Sequence, residues 1–181
     1  NIQKLELDGL ITLGGDDTNG VSKLLSKDEN FRKILPDFKI IGLPKTMDND
    51  IALPETDAQT YGFDSFTQAA IPAVKAGIVD ARGTHRVLVV EVFGRSAGFV
   101  ASRIGSSVDA SRTLIPEEEL DLEAFVKDLI AYYYEEIYDQ VEKKTKPRAY
   151  GSVIVSEGVK ISRDFKSNAQ YLDAAFKDDP V

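Results

Sequence analysis

Three loops of this chain concentrate the residue types that handle phosphate. Gly14-Gly15-Asp16-Asp17-Thr18 follows the apolar run Leu7 to Leu13. A glycine pair lets backbone come close to a phosphate, and the N–H groups opening a following helix are there to receive it. The spacing is not that of the P-loop, and its Gly-Lys-Ser/Thr end is missing. Asp16 and Asp17 could help hold a magnesium ion; acids in a tight turn also complement a helix dipole without any ligand. Pro44-Lys45-Thr46-Met47-Asp48-Asn49-Asp50 is the second loop. Phosphoryl transfer needs a placed base for the attacking hydroxyl, a cation ligand, and positive charge to meet the moving group. Asp48, Asp50 and Lys45 could supply these, although an Asx-rich surface turn has the same composition. In the third loop, Phe93-Gly94-Arg95-Ser96-Ala97-Gly98, glycines flank an arginine at a strand end. That exposes a guanidinium beside a helix N-terminus, which suits a phosphate monoester. A helix cap by Ser96 plus a surface arginine is the plainer reading.

Other charged groups are less specific. Arg82, His85 and Arg86 precede the most strand-like run of the chain, so Arg86 sits at the opposite end of that strand from Arg95. One subunit is not expected to bring both to one ligand. Glu157, in Ser156-Glu157-Gly158, could accept a hydrogen bond from a sugar hydroxyl or serve as a helix-dipole acid. Met47 and Tyr132-Tyr133-Tyr134 need no role beyond packing.

These loops require a particular set of elements. Leu7 to Leu13, Phe38 to Gly42, Arg86 to Val92 and Ala149 to Ser156 read as strands, with a short further piece at Arg112 to Ile115. The continuous apolar run Arg86 to Val92 suits a strand buried on both faces of a parallel sheet. Helices are expected at Asn19 to Leu25 with Thr18 or Asn19 as cap, and over Asp57 to Val79 with a kink or break at Gly62 and Pro72. Two more are expected, one opened by Gly94-Arg95-Ser96-Ala97-Gly98 and running to about Asp109, and one from Leu122 to Lys143 that leaves through the basic run KKTKPR. Residues 168–181 look like a helix start and a polar tail. Strand, loop and helix in repetition give an α/β layered fold, and such folds bind ligands at the carboxyl ends of their strands. Every unusual loop falls there.

Bulk properties narrow the chemistry. A chain of 181 residues holds one domain or two small lobes, and should bury about two-thirds of its unfolded surface. The formal charge is -8, from 30 acidic and 22 basic residues. This argues against nucleic acid or an anionic membrane as partner, but not against small anions at a local basic cluster. The absence of cysteine excludes disulfides and thiolate metal sites, and fits a cytoplasmic setting. The single histidine excludes a multi-histidine centre, so any metal must be a hard, oxygen-ligated one. No apolar run reaches the roughly 20 residues of a membrane span.

Taken together, LGGDDT, LPKTMDND, GFDS (Gly62 to Ser65), EVFGRSAG and LIPEE occur in the order found in 6-phosphofructokinases. From about Leu7 to Gly158 the chain resembles that family. The resemblance implies an α/β three-layer sandwich with a mainly parallel sheet, in two lobes that are incomplete here: part of a phosphate-donor lobe in residues 1–80 and a sugar-phosphate lobe in residues 81–181. Punctuation near Ile78 to Thr84 is where the division would fall. The resemblance also implies transfer of a phosphoryl group to the 1-hydroxyl of fructose 6-phosphate, with Mg2+. Asp48 matches the catalytic base, and Thr46 a residue near the transferring phosphate. Gly15 belongs to the donor loop and Asp16 is the magnesium-site acid. Asp50 matches an acid held near the reacting phosphates. Phe93, Gly94 and Arg95 match the Met-Gly-Arg motif on the sugar phosphate, with Arg95 also near the transferring group. Glu157 matches a sugar-binding glutamate. Arg86 matches an arginine given to a neighbouring subunit's site, so a homo-oligomer is implied.

Asp17 and Lys45 stand where ATP-using members usually or often carry glycine. The pair resembles the pyrophosphate-dependent branch: a carboxylate repels a nucleotide's inner phosphate, and a lysine offers a cation to pyrophosphate. ATP dependence with an atypical donor loop, or a non-catalytic regulatory or assembly role, are the alternatives. Phe93 in place of Met and Ser96-Ala97 in place of His-Cys or His-Ala depart from the family pattern at the sugar side. Family subunits are longer, and the 181 residues alone are expected to be inactive because walls of the site are missing.

Overall fold

The computed structural model describes residues 2–51 and 58–162. The expected tail at 168–181 lies outside them. In chain order the elements are β1 (Gly9–Gly14), α1 (Asp16–Lys27), α2 (Glu29–Ile34), β2 (Lys39–Thr46), β3 (Tyr61–Gly62), α3 (Phe63–Thr84), β4 (Val87–Val92), α4 (Phe99–Val108), β5 (Arg112–Leu114), β6 (Glu119–Leu120), α5 (Leu122–Tyr134), β7 (Glu136–Asp139), β8 (Lys144–Pro147), β9 (Gly151–Ser156) and β10 (Lys160–Ile161). Two three-stranded sheets carry the fold, β1-β2-β3 and β4-β9-β5, and every pairing within them is parallel. This is the α/β architecture expected from alternating strands and helices.

Register positions the loops. Gly14 pairs with Pro44, so the turn after β1 lies beside Lys45 and Thr46. Val92 pairs with Ser156, so Phe93 to Arg95 lies beside Glu157 and Gly158. Parallel pairing therefore delivers all four loops at carboxyl ends of strands.

The core is formed by Phe63 and Val74 on α3, Val92 on β4, Val100, Ala101 and Ile104 on α4, and Ile154 on β9. α3 is thus the element that joins the first sheet to the second. It runs unbroken through residues 78–84 and through Pro72. Of the kink or break expected at Pro72, a break does not occur: the Gln68 carbonyl that loses its helical donor lies at an exposed position. Gly62 does punctuate the chain, at φ 107° as the N-cap of α3.

Four further expectations are corrected. α1 begins at Asp16 with Gly15 as N-cap, not at Asn19; the Asn19 amide instead donates to the carbonyls of Gly14 and Gly15 at 2.7 and 2.9 Å. β2 continues to Thr46 and carries Lys45 within it. The strand buried on both faces is β9, the middle strand of its sheet, whereas β4 is an edge and leaves Val89 62% exposed. α5 stops at Tyr134, and the chain then forms the antiparallel hairpin β7–β8. Exposure alternates along Glu136 to Asp139, exposed then half-buried, which is a strand period. Asp139 closes the turn by accepting from Val141 and Glu142 N–H at 2.8 and 2.9 Å. Lys146, in the predicted basic exit, pairs with Asp139 at 2.5 Å.

Candidate active site

The β1–α1 turn is held against the end of β2 by small residues and short polar links. The Thr12 and Ser22 hydroxyls meet at 2.8 Å, tying α1 to β1. A Cβ on Gly15 would lie 3.6 Å from Cβ of Thr46, so the two loops are in van der Waals proximity there. Asp16 and Asp17 fill the first turn of α1, where the positive end of the helix favours their charge. Both are exposed.

The Thr46–Asp50 loop is pinned from below. The Thr46 hydroxyl accepts from Asp48 N–H at 3.1 Å. Thr60 donates its hydroxyl to the Thr46 carbonyl at 2.7 Å and its N–H to Asn49 Oδ1 at 2.9 Å. Asn49 adopts φ 57°, a left-handed conformation that asparagine tolerates better than most residues. This turn leaves the carboxyl groups of Asp48 and Asp50 close enough to feel each other. Burial pushes the Asp48 carboxyl up first, and the neighbouring charges of Asp50 and Glu157 push it further; the Thr46 hydroxyl and the Arg95 guanidinium pull it back. Glu157 and Arg95 belong to the second sheet, so Asp48 faces across from one sheet to the other.

On that second sheet Glu157 has a role that sequence reasoning missed. Its Oε1 accepts from the N–H of Arg95 at 3.0 Å and of Gly94 at 3.3 Å. One oxygen of this carboxylate thus shapes the Gly94-Arg95 turn. That turn is strained, with Gly94 at φ 153° and Arg95 at φ 45°. A side chain on Gly94 would meet Ala97 O at 2.5 Å and Ser156 Oγ at 2.9 Å, so only glycine fits. Arg95 extends its guanidinium to Asp17, Nη1 to Oδ2, at 3.3 Å. Phe93 is exposed and stands edge-on to Phe66, with centroids 6.0 Å apart.

The α4 N-terminus is also occupied differently from expectation. Gly98, not Ser96, is the N-cap, and its N–H donates to Glu117 Oε1 at 2.8 Å. A carboxylate of the chain thus takes one of the N–H groups at this helix start. Arg86 lies at the amino end of β4, about 20 Å from the Arg95 end by the rise of six strand residues. His85 is the left-handed C-cap of α3, and its carbonyl accepts from the Tyr133 hydroxyl. Arg82 stacks on Tyr150, 4.6 Å from the ring centroid.

The structure therefore brings together Gly15, Asp17, Thr46, Asp48, Asp50, Gly94, Arg95 and Glu157. Lys45 and Asp16 are exposed on the adjoining β2 end and α1 turn, and Arg86 is not brought in. Among the described residues no three Asp, Glu or His side chains cluster to hold a metal. Mg2+ does not require such a cage, since one or two carboxylates plus substrate phosphates suffice. Among the described residues the buried Oδ1 of Asp50 has no hydrogen-bond partner. Asp16, exposed on the first turn of α1, offers one such carboxylate.

The profile of the phosphofructokinase family matches residues 1–180. The chain belongs to the phosphofructokinase family. A pyrophosphate–fructose 6-phosphate 1-phosphotransferase of Dictyoglomus thermophilum is 38% identical over 162 residues, covering 89% of this chain and 40% of that protein. An ATP-dependent 6-phosphofructokinase of Persephonella marina is 34% identical, covering 91% and 44%. The crystal structure of a pyrophosphate-dependent phosphofructokinase from Nitrosospira multiformis superposes with a TM-score of 0.63 at 26% identity, covering 97% of this chain and 43% of that one. The chain thus spans less than half the length of these relatives.

Proposed function

We propose that this phosphofructokinase chain carries a site for moving a phosphoryl group from pyrophosphate to the 1-hydroxyl of fructose 6-phosphate. The observation supporting it most is that Asp48, on the end of the first sheet, faces Arg95 and Glu157 on the second, with Asp17 beside them. Asp48 takes the proton of the 1-hydroxyl as that oxygen bonds to phosphorus and the bond to the leaving phosphate breaks. A carboxyl pushed up by burial is a better proton acceptor once ionised. Arg95 and Lys45 place positive charge against the transferring group, and Thr46 lies at its side. Gly15 lets the donor approach the backbone. Phe93, Gly94, Arg95, Asp50 and the second oxygen of Glu157 bind the sugar phosphate side. Mg2+, held by Asp16 and substrate oxygens, would neutralise phosphate charge when bound.

The donor assignment rests on Asp17 with Lys45. A carboxylate on the first turn of α1 adds bulk and negative charge where a nucleotide's inner phosphate would come. An ATP-dependent reading keeps a place because an ATP-dependent relative is similar over most of this chain. The substitution Asp17→Gly separates the two. Under pyrophosphate dependence it admits ATP at least partly, with Lys45→Gly adding to the gain. If it leaves an already efficient ATP reaction unchanged, the pyrophosphate reading is wrong.

Residues 1–80 then form part of the donor lobe and residues 81–181 the sugar-phosphate lobe. Arg86, remote from Arg95 in its own chain, serves a neighbouring copy in a homo-oligomer of the cytoplasm. The 181 residues alone turn over little or not at all, because orientation and preorganisation fail when walls of a site are absent.

A further inference from the structure

Asp17 has a second partner besides any donor. Its Oδ2 lies 3.3 Å from Nη1 of Arg95, an ion pair running from the first turn of α1 to the β4–α4 turn. The Gly94-Arg95 turn is already fixed, by one N–H bond from each residue to Glu157 and by the left-handed φ of 45° at Arg95. Only the tip of the side chain is left to be placed, and Asp17 places it. The carboxylate is itself settled, since it sits at the positive end of α1. The two side chains are 53% and 83% exposed, so the pair is weak and an incoming phosphate can replace either partner.

We propose that Asp17 is a positioning residue for Arg95: the group that stands against a nucleotide also holds the guanidinium on the donor side, ready for the transferring phosphoryl group. Exclusion and placement are then one device. The inference rests on the phosphotransferase reading of the site but not on which donor is used. It separates Asp17 from a purely repulsive residue, which would act on donor choice and leave Arg95 where it is. It also accounts for a carboxylate so near a cation that must meet an anion: the pair keeps Arg95 from turning into solvent, and breaks when phosphate arrives.

A double-mutant cycle in the full protein tests it, using Asp17→Asn, Arg95→Gln and the double variant with whichever donor is turned over. With Arg95 present, Asp17→Asn is expected to lower kcat between about twofold and fivefold, with KM for fructose 6-phosphate little changed. In the Arg95→Gln background the same substitution changes kcat hardly at all. Asp17→Glu, which retains the carboxylate, restores most of the loss. Calorimetric binding of inorganic phosphate, which needs no turnover, is expected to show the same non-additivity. Effects of the two substitutions that simply multiply, in both kcat and phosphate binding, overturn the proposal. So does an Asp17→Asn change confined to donor KM. Absence of turnover with either donor would count against the phosphotransferase reading instead, while phosphate binding would still decide the pair.

Discussion

At the scale of single residues the account turns on Asp48 and the turn opposite it. Replacing Asp48 by Asn removes the proposed proton acceptor but not the loop, whose hydrogen bonds run through Thr46, Asn49 and Thr60. The expected result is a fall in kcat of about 100-fold to 10,000-fold, with fructose 6-phosphate binding by calorimetry nearly unchanged. Unaltered turnover would remove Asp48 from the chemistry. Gly94→Ala acts differently, because both its φ of 153° and the neighbouring Ala97 carbonyl forbid a side chain. It should destabilise by about 1–3 kcal/mol in thermal or denaturant unfolding and weaken sugar phosphate binding at the same time. That Asp16, Asp17, Asp48 and Arg95 lie just past strand ends was legible from residue type and spacing. The contacts among them were not: the two N–H bonds to Glu157 and the Arg95–Asp17 pair join residues far apart in sequence. Likewise Glu117 reaches the α4 N-terminus across 19 positions, so Ser96 looked like the cap.

At the scale of elements, period and punctuation placed β1, β2, β4, β9 and α4 within a few residues. They failed where tertiary context outweighed local preference. Pro72 sits inside α3 because that helix is anchored on both sides of it, by Phe63 and by Val74 in the core. The α5 pattern ran on through Ile137 because a single apolar residue at helical spacing also fits a strand. The hairpin that follows depends on Asp139, whose carboxyl is lowered to about 2, first by Lys146 and then by the N–H groups of Glu142 and Val141. A lowered acid stabilises the folded form above its unfolded value and loses that effect as pH falls through the folded one. The hairpin should therefore hold from neutral pH down to about 4 and loosen between about 4 and 2. NMR titration of Asp139 checks this; an ordinary carboxylate value would contradict it. The core makes a simpler claim. Ile104 is fully buried on α4 against Ile154 and Val92, so Ile104→Ala should cost about 2–5 kcal/mol of unfolding free energy.

At the scale of the molecule, the two parallel sheets meet through α3 and α4 and present four loops at one end. Their other surfaces are less covered. Ile11 pairs with Ile41 and Leu13 with Leu43, and all four are exposed, from 42% to 69%. A contiguous apolar face of this kind is unusual on a soluble surface. The isolated 181 residues should bind a hydrophobic dye strongly, and Ile41→Thr with Leu43→Thr should reduce that signal. Weak dye binding by the unmodified chain would show the face to be covered. No helix among the described residues is long and apolar enough to cross a membrane.

The central claim concerns the donor, and it is most directly tested by assaying the full protein for fructose 1,6-bisphosphate formed from fructose 6-phosphate with Mg2+ and either pyrophosphate or ATP. Turnover with pyrophosphate, readily reversed by inorganic phosphate and at least tenfold weaker with ATP by about 1.4 kcal/mol of discrimination, is the predicted result. Product formed with ATP but not with pyrophosphate would contradict it.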